Sequence, residues 1–475
     1  MAWVPAQNGP DQHGEAMASG HWSGQHWLRV PEPRFRLSEP LCTQRCGTVG
    51  FRIRGMTGTT TVTDLTKVAR KITFVLFATQ SLASAGFIAA AAINPILGAK
   101  LSADRSLATV PTAAYLLTGA LAALMWGHLM DRIGRRNGIA LGLIAGIIGN
   151  VMVIAAIQAQ SFALATAGLM LMGTTNSAVQ LGRFAAAEVN PPDRRGRAIS
   201  YVVLGGVIGT ILSRLLAVPV SDFAVSIGMD ELAGAYLTTL SLFMIASVLV
   251  FVGLRPDPRD VGREVAALYP TPSRTGGQSR PILEILRQPA AMTAMASMVL
   301  GQVVMVAVMV ITSLHMEDHH HNRSDIYTVI SGHTFGMFAP SIISGRLLDT
   351  WGRGRMILFG AVTLVLACIT APLSPDVVPL AVALFLLGVG WNFCFVGGST
   401  LLSDQLSPAE RSRTQGTNDL IVGLASSAIS LGSGVMFGAI GYLGITLVAG
   451  ALALIPLAMA SIYLRTPPQI SPAVA

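Results

Sequence analysis

Aspartate and arginine recur in this chain in one fixed arrangement. Gly127-His-Leu-Met-Asp131-Arg132-Ile-Gly134-Arg135-Arg136 returns as Gly345-Arg-Leu-Leu-Asp349-Thr-Trp-Gly352-Arg353-Gly-Arg355, 218 positions later (349 − 131). A carboxylate among guanidinium groups in a short loop can hold charge-assisted hydrogen bonds in one arrangement and release them in another. That is the chemistry of a latch, not of bond cleavage. A second pair nearly keeps the offset: Pro191-Pro-Asp193-Arg194-Arg195-Gly-Arg197 against Pro408-Ala-Glu410-Arg411-Ser-Arg413, 217 apart (408 − 191). Duplicated loops between apolar runs are expected of a transporter built from two parallel repeats.

A second set of residues could bind a solute. Gln80, Asn176, Gln180, Gln302, Trp391 and Asn392 fall near the middle of apolar runs, where polar groups are expensive and need a reason. Amides donate and accept, and an indole stacks on planar ligands, so the set suits a neutral or aromatic solute better than a bare ion. Asn176 and Asn392 are almost equivalent under the repeat, 216 apart (392 − 176). The competing reading is that each amide bridges neighbouring helices, worth about a kcal/mol or less apiece. Arg214, about 22 Å across by helix rise, would attract an anionic group or pair with Asp222. Arg183, about 8 Å in, can snorkel. No carboxylate falls at mid-depth in the runs carrying these amides, so His333 and Asp419 are the titratable candidates for proton coupling, and uniport stays open. His315-Met-Glu317-Asp318-His319-His320-His321 has metal-ligating residue types, but in an unshaped loop a solvated run is the simpler reading, and no metal site is assigned.

Composition decides what must hold these residues. The chain has 475 residues, 52% hydrophobic and 12% charged, with mean hydropathy +0.59. Soluble domains carry about 25% charged residues, so the excess apolar area must face lipid. The net charge of +8 comes from basic residues dispersed between apolar runs. They read as topology signals and not as a nucleic-acid stripe. Cys42 and Cys46 form no metal set by themselves, and Cys368 and Cys394 read as buried apolar cysteines. Lysine occurs only at Lys67, Lys71 and Lys100, a bias that suggests a GC-rich, bacterial genome.

Residues 1–66 read as a polar, disordered tail, with Met56 as an alternative start of translation. Twelve apolar segments follow, over roughly 72–97, 107–129, 137–157, 161–187, 199–221, 234–254, 290–314, 326–348, 356–373, 377–402, 416–438 and 441–464. Each can cross about 30 Å of hydrocarbon as a helix. Residues 67–254 and 290–465 are the two six-helix halves, 255–289 a polar linker, and 466–475 a second tail. With both termini in the cytoplasm, nearly all arginines fall on the cytoplasmic side, and only Lys100, Arg105 and Arg323 on the other.

The loop resembles the signature of the major facilitator superfamily, Gly-x3-Asp-Arg/Lys-x-Gly-x-Arg/Lys-Arg/Lys. Gly127, Asp131, Arg132, Gly134 and Arg136 match it, with Arg135 in addition. The second copy keeps Gly345, Asp349, Gly352, Arg353 and Arg355, but Thr350 replaces a base. The resemblance covers residues 67–465. It implies an all-α membrane fold of twelve transmembrane helices in two six-helix bundles, rocking around a central cavity lined by helices 1, 4, 7 and 10. It also implies a carboxylate partner for the loop at the end of helix 4. Glu188 holds that place, and Asp404 or Asp419 could hold it in the second half. Gly196, Gly205 and Gly209 match part of an antiporter motif of helix 5. Thr210 and Ser213-Arg214 break it, so the glycines read as close-packing positions. His333 to Ser341 and Gly397 to Asp419 resemble a bacterial branch that includes riboflavin permeases.

These readings converge on a multi-pass, monomeric permease of the bacterial inner membrane. It moves a small organic solute, alone or with protons, by alternating access and without a cofactor. The alternatives are a proton-driven drug exporter and a membrane enzyme or metal sensor. No nucleophile–base pair or phosphate-binding loop supports catalysis.

Overall fold

A computed structural model describes residues 62–269 and 280–465. The expectations for the first tail, including Cys42, Cys46 and Met56, and for residues 466–475 lie outside these. The described residues are helical throughout, with no strand.

The first half comprises α1 (Val62–Leu101), α2 (Val110–Ile133), α3 (Arg135–Gln158), α4 (Phe162–Gln180) continued by the short α5 (Gly182–Glu188), α6 (Arg195–Ser226) and α7 (Ala233–Gly253). Two helices occupy the stretch read as a linker, α8 (Pro258–Leu268) and α9 (Ile282–Leu286). α8 is amphipathic and buries Pro258, Val261 and Val265. The second half comprises α10 (Pro289–Asp318), α11 (Arg323–Phe338) continued by α12 (Ser341–Trp351), α13 (Arg353–Thr370), α14 (Val377–Asp404) and α15 (Pro408–Arg465). α11 and α12 part at Pro340, where the missing N–H breaks the ladder.

Among the described residues, eleven stretches are long and apolar enough to cross a membrane. The last, Arg413–Arg465, has 53 residues. As one rod it would be about 80 Å long, far more than a bilayer core. Gly441 interrupts its helical backbone (φ 65°, ψ −172°), and two crossings there are consistent with the expected twelve. Exposed Leu121, Met125, Ile148, Val248 and Leu447 belong to an apolar outer surface, as lipid requires.

The buried core is not evenly shared. One cluster runs through both halves, from Ile93, Leu97 and Tyr236 to Val308, Ile330 and Leu384. It lies towards the face away from the duplicated loops. At the loop face the core is divided. Ile72, Met130, Leu143 and Val250 form a cluster within the first half, and Ala294, Ile357 and Leu402 one within the second. The buried core is continuous between the halves at one face and divided at the other.

Candidate functional site

The first signature loop is a junction of five elements. Gly134 links α2 to α3 with φ +95° and ψ 159°, a backbone region essentially reserved for glycine. A Cβ there would lie 2.4 Å from Oδ2 of Asp257. That carboxylate accepts from the backbone N–H groups of Arg135 and Arg136, both at 3.1 Å, and of Arg259 at 2.9 Å. It thus caps α3 and its own helix α8 together, where helix dipoles favour an anion. Arg259 donates to the Asp131 and Arg132 carbonyls, both at 3.0 Å, closing the end of α2. Arg135 is bidentate to Glu188 at 3.0 and 2.7 Å and pairs with Asp131 at 2.8 Å. Arg136 donates to the Phe251 carbonyl and lies over that ring. Gly127 faces open space, and Arg132 is exposed.

The second loop repeats the plan with fewer bonds. Gly352 takes the same backbone region (φ +81°, ψ 162°), yet a Cβ there meets nothing within 4 Å. Arg353 donates to Asp404 at 2.8 Å. Between the two carboxylates expected as candidates, Asp404 stands where Glu188 stands in the first half. Gly345 faces open space, and Arg355 is exposed. The Asp349 side chain lies outside what the structure describes.

The linker grips this half elsewhere. Glu410, 1% exposed, accepts from the Arg280 backbone N–H and Nε at 2.9 Å, from its Nη2 at 3.0 Å and from the Ser407 N–H at 3.0 Å. These donors hold its carboxyl well below the usual glutamate range. Neither Asp257 nor this clasp was among the expected site residues. Local signals exist for both: Asp257-Pro258 is a helix start, and Ser407-Pro-Ala-Glu410 has capping-box spacing.

The mid-depth amides divide into two groups. On α4 the hydroxyls of Ser177 and Thr175 bond the Gly119 and Gly142 carbonyls of α2 and α3. Asn176, Gln180 and Arg183, at i, i+4 and i+7, form a separate stripe. It points towards Asp419 of the second half, with which Arg183 makes no ion pair. Asn176 and Gln180 are half-buried, and neither makes a side-chain hydrogen bond among the described residues. On α14, Trp391 donates to Gln302 of α10 at 2.6 Å and stacks on Phe395 with centroids 5.2 Å apart. Gln80 is buried and donates to Ser84 at 3.0 Å.

Asn392 faces another way. It is 2% exposed and donates to the Met337 carbonyl at 2.7 Å and to Ser341 at 2.8 Å. It ties α14 to the break between α11 and α12, the helix-bridging alternative for that residue. Arg214 differs from expectation as well. It donates to Thr328 and Ser324 of α11 at 3.0 and 3.1 Å, and exposed Asp222 is not its partner. The reason is register: α6 presents Arg214 to the neighbouring half. Gly205 and Gly209 do pack closely, each meeting α1 backbone at 2.9 Å from a Cβ position, whereas Gly196 meets nothing within 4 Å and is no packing position.

Further pairs join the halves on the face away from the loops. Arg105 meets Asp318, and Arg323 approaches Glu231 at 3.7 Å. Mid-seam, Ser427 donates to the Ala113 carbonyl at 2.8 Å, and Gly206 lies flat against the Phe338 ring. His333 is wholly buried, with Nδ1 at 2.8 Å from the Leu384 carbonyl. The histidine run is splayed: His319 bonds the His315 carbonyl and His321 the Pro375 carbonyl. Among the described residues no three His, Cys, Asp or Glu side chains converge on a metal position.

Comparison with known proteins agrees with this architecture. The Major Facilitator Superfamily family model matches residues 75–321 and 293–475. The Bacillus subtilis (strain 168) MFS-type transporter YdeG is 31% identical over 388 residues, covering 81% of this chain and 90% of that protein. The riboflavin transporter RfnT of Brucella anthropi is 32% identical over 361 residues, covering 76% and 87%. Among solved structures, a peptide transporter POT in complex with alafosfalin superposes with TM-score 0.60 at 16% identity, covering 85% and 99%. The human organic anion transporter MFSD10 gives TM-score 0.58 at 14% identity, covering 82% and 99%. The chain is a multi-pass membrane transporter and belongs to the major facilitator superfamily.

Proposed function

We propose that this protein is a permease for a planar, uncharged heteroaromatic solute of the flavin type, working by alternating access in a bacterial inner membrane. The observation that carries the substrate class is the α10–α14 platform. Trp391 stacks on Phe395 and donates to Gln302 Oε1, which leaves the Gln302 amide N–H groups for a ligand. Gln80 and the Asn176–Gln180 stripe supply further amides. The identity to a riboflavin transporter supports the same class.

The divided core supports the cycle. The duplicated loops lie on the cytoplasmic side with both termini, and the solute path opens there in this arrangement. The outer side is held shut by Arg105–Asp318, Arg323–Glu231 and Arg214 on α11. When the halves rock, these contacts part, and Arg183 closes on Asp419 across the inner side. Gly127 and Gly345, open here, then receive the opposite half, and the Asp131–Arg135–Glu188 and Arg353–Asp404 groups reset. His333 and Asp419 are the groups a proton-coupled cycle would titrate. A monomer suffices for every step.

Riboflavin flux into proteoliposomes tests the reading. The unaltered protein should carry it, and Trp391→Ala should bind it roughly tenfold more weakly, about the worth of one aromatic contact. Absence of flux by well-folded protein would overturn the substrate class.

A further inference from the structure

A cleft of about 570 Å³ lies beside the first signature loop, with the Asp131–Arg135–Glu188 group forming one wall. It is bounded by the end of α5, the start of α6 and the linker helix α8. Four guanidinium groups line it, Arg135, Arg195, Arg259 and Arg263, against two carboxylates, Asp131 and Glu188. Both carboxylates are already engaged by Arg135, and Asp260 stands beside Arg259 and Arg263 at 3.6 and 3.9 Å. Four guanidinium groups thus face three carboxylates, a surplus of one positive charge.

The donors are not exhausted. Arg259 Nε makes no hydrogen bond, standing 3.6 Å from Asp260 Oδ1. Arg195 makes one long bond, Nε to the Asn190 carbonyl at 3.4 Å. It is the first residue of α6, a 32-residue helix with no side-chain cap and no acidic residue in its first turn. The apolar rim differs from an ordinary solvent cleft. Phe184 lines it at 46% exposure, with Ala187 and Ala266 beside it. A basic pocket with an apolar rim at the edge of a bilayer suits a phosphate whose organic part lies in or near the membrane.

We propose that this cleft is a regulatory site for a phosphate group, held by Arg195, Arg259 and Arg263, with an anionic phospholipid headgroup as the preferred source. A phosphate there would bridge α6 to α8, and through Asp257 and Arg259 it would fix the first loop in its present form. Occupancy therefore stabilises the arrangement that is open on the loop side.

The test is thermal unfolding of the full-length protein in neutral detergent with short-chain phosphatidylglycerol, short-chain phosphatidylcholine or inorganic phosphate. Phosphatidylglycerol should raise the midpoint by several degrees more than phosphatidylcholine, since a ligand of the native state stabilises it. That increment should vanish in Arg195→Ala/Arg263→Ala and persist in Arg197→Ala, an exposed neighbour outside the cleft. An equal shift with inorganic phosphate, lost in the same double variant, supports the site with a soluble phosphate as its occupant. Equal midpoints with both lipids and no response to phosphate would overturn the proposal, as would an increment retained in the double variant. If the double variant is too unstable to purify, Arg195→Gln alone should halve the increment or more, and an unchanged increment there would overturn it too.

Discussion

The two signature loops share a backbone and differ in what holds it. Gly134 and Gly352 adopt the same glycine-only conformation, and Arg135 and Arg353 each reach a carboxylate at the end of the following long helix. The first loop is then enclosed: Asp257 caps it from below, Arg259 closes α2, and Arg135 engages two acids. The second has one charged bond, between groups 37% and 43% exposed, and open space where the linker would sit. The linker is the cause. It docks α8 on the first loop, and in the second half it binds the α14–α15 turn through Arg280 and Glu410. A duplicated sequence has been given one rigid copy and one loose copy by a segment that is not duplicated.

Substitutions in equivalent positions of the two loops should act unequally. The largest contrast is in flux. Arg135→Ala should lower transport tenfold or more, because it leaves Glu188 and Asp131 uncompensated. Arg353→Ala, at an exposed pair worth about 0–1 kcal/mol, should lower it threefold at most. Equal losses in reconstituted vesicles would show that both loops act as equal latches.

Stability follows. Gly134→Ala should cost about 3 kcal/mol, from the backbone region and from overlap with Asp257, and Gly352→Ala about 1–2 kcal/mol from the backbone alone. Adding Asp257→Ala should recover part of the first loss and none of the second. Additive effects in that cycle would remove Asp257 from the explanation.

Next in size is the linker clasp, whose pH dependence has a definite sign. The Glu410 carboxyl is held below its ordinary value by Arg280, so its contribution is full above the unfolded value, about 4.3. It is lost as the pH falls from there through the depressed folded value. Glu410→Gln should lower the thermal midpoint by several degrees at pH 7, and the gap to the unaltered protein should narrow below pH 4. A gap that is constant with pH would contradict the charged clasp.

The smallest contrast separates Asn176 from Asn392, equivalent in the repeat and different in surroundings. Asn392→Ala should cost about 1 kcal/mol of stability, while Asn176→Ala should leave the midpoint unchanged and weaken riboflavin binding. Calorimetric affinities that fall equally in both would restore the symmetric reading.

What the sequence made legible was periodic or local. The Gly-Asp-Arg spacing, the offset of 218 residues, the apolar runs and the stripe of Asn176, Gln180 and Arg183 need only counting along a helix. What it left hidden was rotation and distance. The period of α14 puts Asn392 and Trp391 on adjacent faces, but not which face meets α11 and which meets α10. Asp257 reaches residues 122 and 121 positions away, and no local pattern encodes such a pairing. Arg214 belongs to the same class: its partners lie in the other half.

In the proposed cycle, closure at one face and opening at the other are a single motion of two halves. Spin labels at His128 and Gly416 report the loop face, and labels at Ser226 and Val378 the opposite one, in protein whose native cysteines have been replaced. Pulsed electron resonance distances should be compared with and without Arg105→Ala/Glu231→Ala, which removes two contacts of the closed face. Expected is an anticorrelated shift, with the His128–Gly416 distance shortening as the Ser226–Val378 distance lengthens. Both distances unchanged, or both lengthening together, would contradict the coupling of the two faces.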